Sequence, residues 1–138
     1  MSAAKFVLDT SVTLGALFKD EQDAYSLAVL GSMAVCVAVV PPLWHLELGN
    51  ILGLALKAKR ISIADLTTSW ERLETLGIQL MPTPDNALLW ALRSDEWGLT
   101  SYDCCYLELA RQQRLPLATK DKSLAAAAQR IGVALYIP

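Results

Sequence analysis

The chain has 138 residues, of which 54% are hydrophobic and 19% charged. This balance excludes a disordered chain and suits one compact domain, so we treat residues 1–138 as a single unit. With 12 basic and 14 acidic residues the formal net charge is −2, which argues against a protein that coats nucleic acid through bulk charge.

Short apolar strands alternate with longer helical segments along the chain. We expect strands at 4–8, 35–40, 78–81, 117–119 and 133–137, and helices at 10–19, 21–33, 42–59, 62–77, 85–97, 102–113 and 122–131. The N-caps of three of these helices are assigned to Ser62, Asp85 and Ser101. The alternation predicts an α/β fold, a three-layer α/β/α domain with a mostly parallel central sheet of about five strands.

Ala24 to Leu46 contains no charged residue and is long enough to span a bilayer. Glycine, serine, two prolines and a histidine interrupt it, and it is better explained as a helix end, a strand and a new helix. The N-terminus also lacks the pattern of a signal peptide. We therefore expect no membrane association.

The cysteines Cys36, Cys104 and Cys105 form no CxxC pair, and the single histidine, His45, is near none of them. This spacing argues against a zinc site and against a disulfide framework. It favours the reducing cytoplasm, with the thiols as small buried side chains.

Two aspartates follow predicted strands directly. Asp9 comes after the first strand, and Asp121 comes two residues after the fourth. Ligands of open α/β sheets collect beyond the carboxyl ends of the strands, so neighbouring strands would bring these carboxylates together. Each aspartate is also in a position to cap the following helix, and that alternative stays open.

Two further acids occupy predicted helices. Glu47 lies in a helix that is apolar on almost every side, and the nearest basic residue along it is Lys57. An ionised carboxylate there is costly unless something pairs with it or it lies at an exposed rim. Asp103 lies in the first turn of its helix, where the helix dipole alone would favour an acid.

Four carboxylates in one place repel each other unless cations lie among them. Mg²⁺ and Mn²⁺ prefer carboxylate and water oxygens and need neither sulfur nor imidazole. Without these four acids the remaining charge is 12 − 10 = +2, which is compatible with a polyanion near Lys57, Lys59 and Arg60 or near Lys120 and Lys122. The chemistry that suits such a site is hydrolysis of phosphodiesters.

Four segments in order resemble the PIN-domain family, and specifically its VapC-type toxin ribonucleases. They are "VLDTSV" with Asp9, "LELGNIL" with Glu47 and Asn50, "LTSYDCCYLELA" with Asp103, and "LPLATKD" with Thr119 and Asp121. Together they span nearly the whole chain.

The resemblance implies a Mg²⁺- or Mn²⁺-dependent endoribonuclease, the toxin of a type II toxin–antitoxin pair. Asp9, Glu47, Asp103 and Asp121 would be its catalytic metal-binding set, and Thr10, Asn50 and Thr119 would orient those ligands. It also implies an RNA substrate, a small antitoxin and a homodimer.

The chain departs from the family where Cys104 and Cys105 replace the usual small residues after the third acid. Glu108, an additional acid one turn further on, is expected to point outward.

Other functions remain open at this stage. A PIN-like module with a weak or silent site would bind RNA or protein without cutting. A haloacid-dehalogenase-like phosphatase would use Asp9 as nucleophile, but position 11 is serine where that motif needs a second aspartate. A Ser-His-Asp hydrolase would depend on His45, which lies on an apolar helix. The GxxxG match at 49–53 is interpreted as permitting close packing of a soluble helix.

Overall fold

A four-stranded, fully parallel sheet forms the centre of the computed structural model, which describes residues 3–138. The strands are β1 (Lys5–Leu8), β2 (Val37–Val40), β3 (Gln79–Leu80) and β4 (Leu117–Ala118). Their order in the sheet is β3-β2-β1-β4. Phe6 lies opposite Ala38, and Val7 opposite Leu117. The ends of β1 and β4 are therefore neighbours.

Seven α-helices flank the sheet within the described residues. They are α1 (Thr10–Leu17), α2 (Ala24–Ser32), α3 (Leu43–Lys57), α4 (Ile63–Glu74), α5 (Ala87–Trp97), α6 (Ser101–Gln113) and α7 (Lys122–Arg130), with a 3₁₀ helix at Lys19–Glu21. Helix α1 packs against α2, α3 and α4, whereas α6 packs against α5, α7 and β1. The predicted α/β class and parallel sheet are confirmed.

The position of β1 in the core explains why successive side chains on both of its faces are hydrophobic. Phe6, Val7 and Leu8 are all fully buried, because β1 has a strand on each side and helices around it. Trp44 of α3 and Tyr106 of α6 are the largest fully buried side chains. Both carry a polar atom, and both donate or share a hydrogen bond inside the core.

The predicted fifth strand, 133–137, is only an isolated bridge between Leu117 and Leu135. Strand β4 is two residues long, so the ladder is short: the Leu117 amide donates to the Ala134 carbonyl, and the Leu117 carbonyl accepts from the Tyr136 amide. Tyr136 also holds the segment in place, because its ring stacks on Phe6 with centroids 4.0 Å apart.

Several predicted element ends were wrong by one to three residues. Val35 is 75% exposed in a turn, so β2 begins at Val37. Asn86 and Thr100, not Asp85 and Ser101, cap α5 and α6, because their side chains accept the amide hydrogens of Leu89 and Asp103.

The glycines of the GxxxG match were expected to permit close packing, and within residues 3–138 no other part of the chain packs against them. A Cβ atom built at Gly49 or Gly53 meets nothing within 4 Å. Across residues 3–138, no helix is long and apolar enough to cross a bilayer.

Candidate active site

The structure places the four predicted acids around the carboxyl ends of β1 and β4, and we call them the acidic cluster. Asp9 follows β1, Glu47 lies in α3, Asp103 lies in the first turn of α6, and Asp121 precedes α7. Asp9 is buried, Glu47 and Asp103 are half-buried, and Asp121 is exposed. The acidic cluster thus leads from solvent to the edge of the sheet.

Asp9 occupies the N-cap position of α1, yet its side chain makes no capping hydrogen bond. Its Oδ2 instead accepts hydrogen bonds from the hydroxyls of Ser11 at 2.7 Å and Thr119 at 2.8 Å. Burial raises the pKa of Asp9, and these hydroxyls counter the rise only in part. The capping alternative for Asp9 is therefore wrong.

Within residues 3–138, hydroxyl groups and not basic side chains are the hydrogen-bond partners of the Glu47 carboxylate. Its Oε1 accepts a short hydrogen bond from Tyr106 and lies 3.2 Å from the Thr10 hydroxyl. Burial, followed by the hydrogen bond to Glu47, raises the pKa of the Tyr106 phenol, so this group remains a proton donor. This contact explains how an apolar helix accommodates the acid.

Asp103 experiences the charge of all the other members of the acidic cluster. Its pKa is raised to about 6, first by burial and then by repulsion from Asp121, Asp9 and Glu47. The four side chains therefore share one electrostatic environment.

Asp121 does cap its helix, as the alternative interpretation predicted. Its Oδ1 accepts the amide hydrogen of Leu124 at 2.9 Å. The Thr119 hydroxyl accepts the Asp121 amide hydrogen and donates to Asp9, so it links two members of the acidic cluster. Capping occupies one oxygen of an exposed carboxylate and leaves the other open to solvent.

No salt bridge reaches the acidic cluster within residues 3–138. Lys120, which immediately precedes Asp121, pairs with Asp23 outside the cluster at 3.3 Å. Across the same residues, no group of three or more His, Cys, Asp or Glu side chains lies close enough to form a metal site. The four carboxylates thus interact electrostatically, but they are not positioned as a ready-made metal site.

The donor chemistry of the acidic cluster fits a hard divalent cation. Every candidate ligand is an oxygen, and repulsion from the other three acids adds to burial in raising the pKa of Asp103. Like carboxylates repel each other without a cation, and a cation would favour a closer arrangement.

Glu108 was expected to point outward, and this was wrong. It is 1% exposed. Arg111 binds both of its oxygens, at 2.7 and 2.9 Å, and Arg93 of α5 reaches it across the helix pair at 3.3 Å. These ion pairs lower the pKa of Glu108 against the opposing effect of its burial.

Asn50 is exposed, and its side chain makes no hydrogen bond to the acidic cluster in the described part of the chain. Cys104 is fully buried and Cys105 partly buried, and burial raises the pKa of each thiol to about 11. Both are therefore small neutral side chains at pH 7.

Sequence reasoning missed two residues of this site, Ser11 and Tyr106. Ser11 donates to Asp9 and accepts the Lys120 amide hydrogen at 2.9 Å, so it connects the ends of β1 and β4. The position of Ser11, two residues after Asp9, was the sequence feature that could have identified it as part of the site. Tyr106 lies three residues after Asp103, which is helical spacing toward the same face.

Comparisons with known proteins match this architecture. The PIN domain family model matches residues 6–130. No curated protein matches the sequence.

Three solved structures share the fold. PAE2754 from Pyrobaculum aerophilum is 21% identical with a TM-score of 0.68, covering 90% of this chain and 79% of that one. FitAcB from Neisseria gonorrhoeae is 24% identical with a TM-score of 0.64, covering 96% and 97%. A domain of a functionally unknown protein from Methanocaldococcus jannaschii is 17% identical with a TM-score of 0.58, covering 99% and 91%. The family match covers most of the chain, and the protein therefore belongs to the PIN domain family.

Proposed function

We propose that this protein is a Mg²⁺- or Mn²⁺-dependent endoribonuclease that acts as the toxin of a type II toxin–antitoxin pair. PIN domains are generally nucleases. The observation that carries the proposal is the acidic cluster. Its carboxylates repel one another, and no basic side chain within residues 3–138 forms a salt bridge with them. Such a charge arrangement costs stability and is expected where a ligand compensates it.

Asp9, Glu47, Asp103 and Asp121 would hold the cation. The chemistry that a divalent cation supplies at such a site is a lowered pKa for the attacking water and neutralised charge on the leaving oxygen. The chain's own residues orient the ligands: Ser11 and Thr119 fix Asp9, and Thr10 and Tyr106 fix Glu47. The expected products carry 5′-phosphate and 3′-hydroxyl ends.

No protein nucleophile competes with water in this proposal. The hydroxyls nearest the acidic cluster donate to carboxylates. His45 packs against Trp44 with ring centroids 4.8 Å apart, and in the described residues it bonds to no serine or aspartate. The substrate class we propose is single-stranded or looped RNA, recognised by shape.

An RNA cleavage assay in Mg²⁺, Mn²⁺ and EDTA tests the proposal. We expect cleavage in either metal and none in EDTA. Asp9→Asn and Asp121→Asn should each reduce the rate by about 10²–10³-fold, the scale seen when one charge-stabilising group is removed. Both variants should remain folded, because crowded negative charge is relieved.

Asp95→Asn is the matched control, since Asp95 is an exposed aspartate of α5 outside the acidic cluster. It should cleave as the parent does. Full activity of either cluster variant would remove that residue from the catalytic set.

A module that binds RNA or protein without cutting it is the second candidate. It is favoured by the absence, within residues 3–138, of acids gathered as a metal site. Binding of RNA by the parent in Mn²⁺ without cleavage would support this candidate and would contradict the first.

The toxin assignment brings three further proposals: a small antitoxin partner, a cytoplasmic location and a homodimer. The exposed face of α3 supports the dimer, since Leu46 is 74% and Leu54 57% exposed beside the open glycines. Co-purification with the product of the adjacent reading frame, and relief of growth arrest by it, would test the antitoxin.

A further inference from the structure

We infer that the Tyr106 hydroxyl is a positioning group, which holds one oxygen of Glu47 so that the other is available to a ligand. This inference deepens the proposed function and rests on it. Tyr106 lies in α6 three residues after Asp103, and its side chain is fully buried.

The geometry joins three helices at one point. The Tyr106 hydroxyl donates a short hydrogen bond to Glu47 Oε1 and lies 2.8 Å from the Thr10 hydroxyl. The Thr10 hydroxyl is itself 3.2 Å from the same Oε1. Tyr106, Thr10 and Glu47 come from α6, α1 and α3, so the contact ties together three elements that carry the acidic cluster.

The hydrogens of this group can be counted. Tyr106 and Thr10 each have one hydroxyl hydrogen, and the ionised carboxylate has none. Tyr106 donates to Oε1, and Thr10 donates either to Oε1 or to the Tyr106 oxygen. Oε1 is therefore held, whereas Oε2 receives no side-chain hydrogen bond within the described residues.

Asp9 repeats the arrangement. Ser11 and Thr119 both donate to Oδ2, and within the same described range Oδ1 receives no side-chain donor. Asp9 and Glu47 thus each have one oxygen fixed by hydroxyls. The recurrence at two separate positions, after β1 and within α3, indicates a shared role in orientation.

Glu108 provides the contrast. Arginines bind both of its oxygens, so its charge is neutralised and no oxygen remains for a ligand. A hydroxyl orients a carboxylate without neutralising it, which suits an acid that must attract a cation. Tyr106 therefore orients Glu47 and leaves its second oxygen available to a ligand, whereas an arginine would neutralise the carboxylate.

Tyr106→Phe tests the role, because it removes the hydroxyl and keeps the buried ring. The readouts are Mn²⁺ affinity by calorimetry without RNA, and kcat and KM for RNA cleavage in saturating Mn²⁺. We expect about tenfold or greater weakening of Mn²⁺ binding, the range found for partners that orient metal ligands. KM for RNA should stay within about twofold, since Tyr106 is buried.

Tyr136→Phe is the matched control. It also removes one tyrosine hydroxyl bond, the 2.8 Å contact to Ser32, at a place away from the acidic cluster. It should leave Mn²⁺ affinity unchanged while losing a similar amount of thermal stability. If Tyr106→Phe does not fold, Thr10→Val probes the same oxygen from α1 and should also weaken Mn²⁺ binding.

The outcomes separate the two proposals. Equal Mn²⁺ affinity in the parent, Tyr106→Phe and Tyr136→Phe would overturn the positioning role and leave the nuclease proposal intact. Equal weakening in both tyrosine variants would show a general loss of stability and would also overturn it. A parent that neither binds Mn²⁺ nor cleaves RNA would instead contradict the proposed function.

Discussion

Buried acids in this protein fall into two kinds, and their partners distinguish them. Glu108 is paired with two arginines and joins α5 to α6. Asp9 and the half-buried Glu47 accept hydrogen bonds from neutral hydroxyls, and no basic side chain within residues 3–138 pairs with them. Since an unpaired buried carboxylate is costly, the second kind is the better indicator of a ligand site.

At the scale of one residue, Asp103 predicts how pH acts on the metal-free protein. Its pKa is about 6 in the folded state against 3.8 for an ordinary aspartate. Between these values the folded state binds more protons than the unfolded state, so this group makes stability fall as pH rises. Asp103→Asn should therefore raise the melting temperature in EDTA more at pH 7.5 than at pH 4.5.

The matched variant is again Asp95→Asn, which should give the same small change at both pH values. Mn²⁺ at pH 7.5 should stabilise the parent more than Asp103→Asn, because a cation offsets the repulsion only where the carboxylate is present. A gain that does not depend on pH would contradict the electrostatic explanation.

At the scale of the elements, the sequence predicts which segments are helices and strands better than where they end. The strand predicted at 133–137 satisfies the pattern of alternation, but β4 is too short to pair with more than one of its residues. The N-cap of α5 was predicted at Asp85 and is Asn86. Either of these adjacent side chains could accept the capping hydrogen bond. Local pattern does not distinguish between them.

The backbone just after α3 is strained at Lys59, and this strain can be tested by substitution. Lys59 has a φ of 57°, and the amides of Lys59 and Arg60 bond back to Leu56 and Ala55. This is the turn in which glycine is usual, since a Cβ costs about 1 kcal/mol in the left-handed region. Lys59→Gly should stabilise the protein by roughly 0.5–1 kcal/mol, measured by urea unfolding.

Lys59→Ala is the control, because it removes the charge and keeps the Cβ. It should change the free energy of unfolding much less than Lys59→Gly does. Gly98→Ala provides the reverse test, since Gly98 ends α5 with a φ of 65°. An equal gain from alanine and glycine at position 59 would attribute the effect to charge and not to the backbone.

At the scale of the whole molecule, the sequence predicts that Asp9 and Asp121 lie near each other, because parallel strands bring their carboxyl ends to one edge and β1 neighbours β4. The hydroxyls that hold them were not predictable in the same way. Tyr106 reaches Glu47 from 59 residues away and Thr10 from 96 residues away. Such contacts depend on how α6 packs against α1 and α3, which a single sequence does not encode locally.

The assembly of the whole molecule gives the last prediction. Leu46, Gly49 and Leu54 are exposed along one stripe of α3 that also contains the half-buried Gly53, and a Cβ at either glycine would meet no neighbour within 4 Å. Such a stripe lets two helix backbones approach closely, so we expect it to pack against the same stripe of a second copy. The parent should then be a dimer by light scattering, and Leu46→Asp should be a folded monomer, because a carboxylate would be buried opposite its own copy.

Val35→Asp is the matched control, since Val35 is 75% exposed in the turn before β2. This variant should remain dimeric. Because Leu46 precedes Glu47 in α3, monomerisation by Leu46→Asp should also be examined for its effect on Mn²⁺ affinity. A dimeric Leu46→Asp, or a parent that is monomeric at all concentrations tested, would contradict the assignment of α3 as the interface.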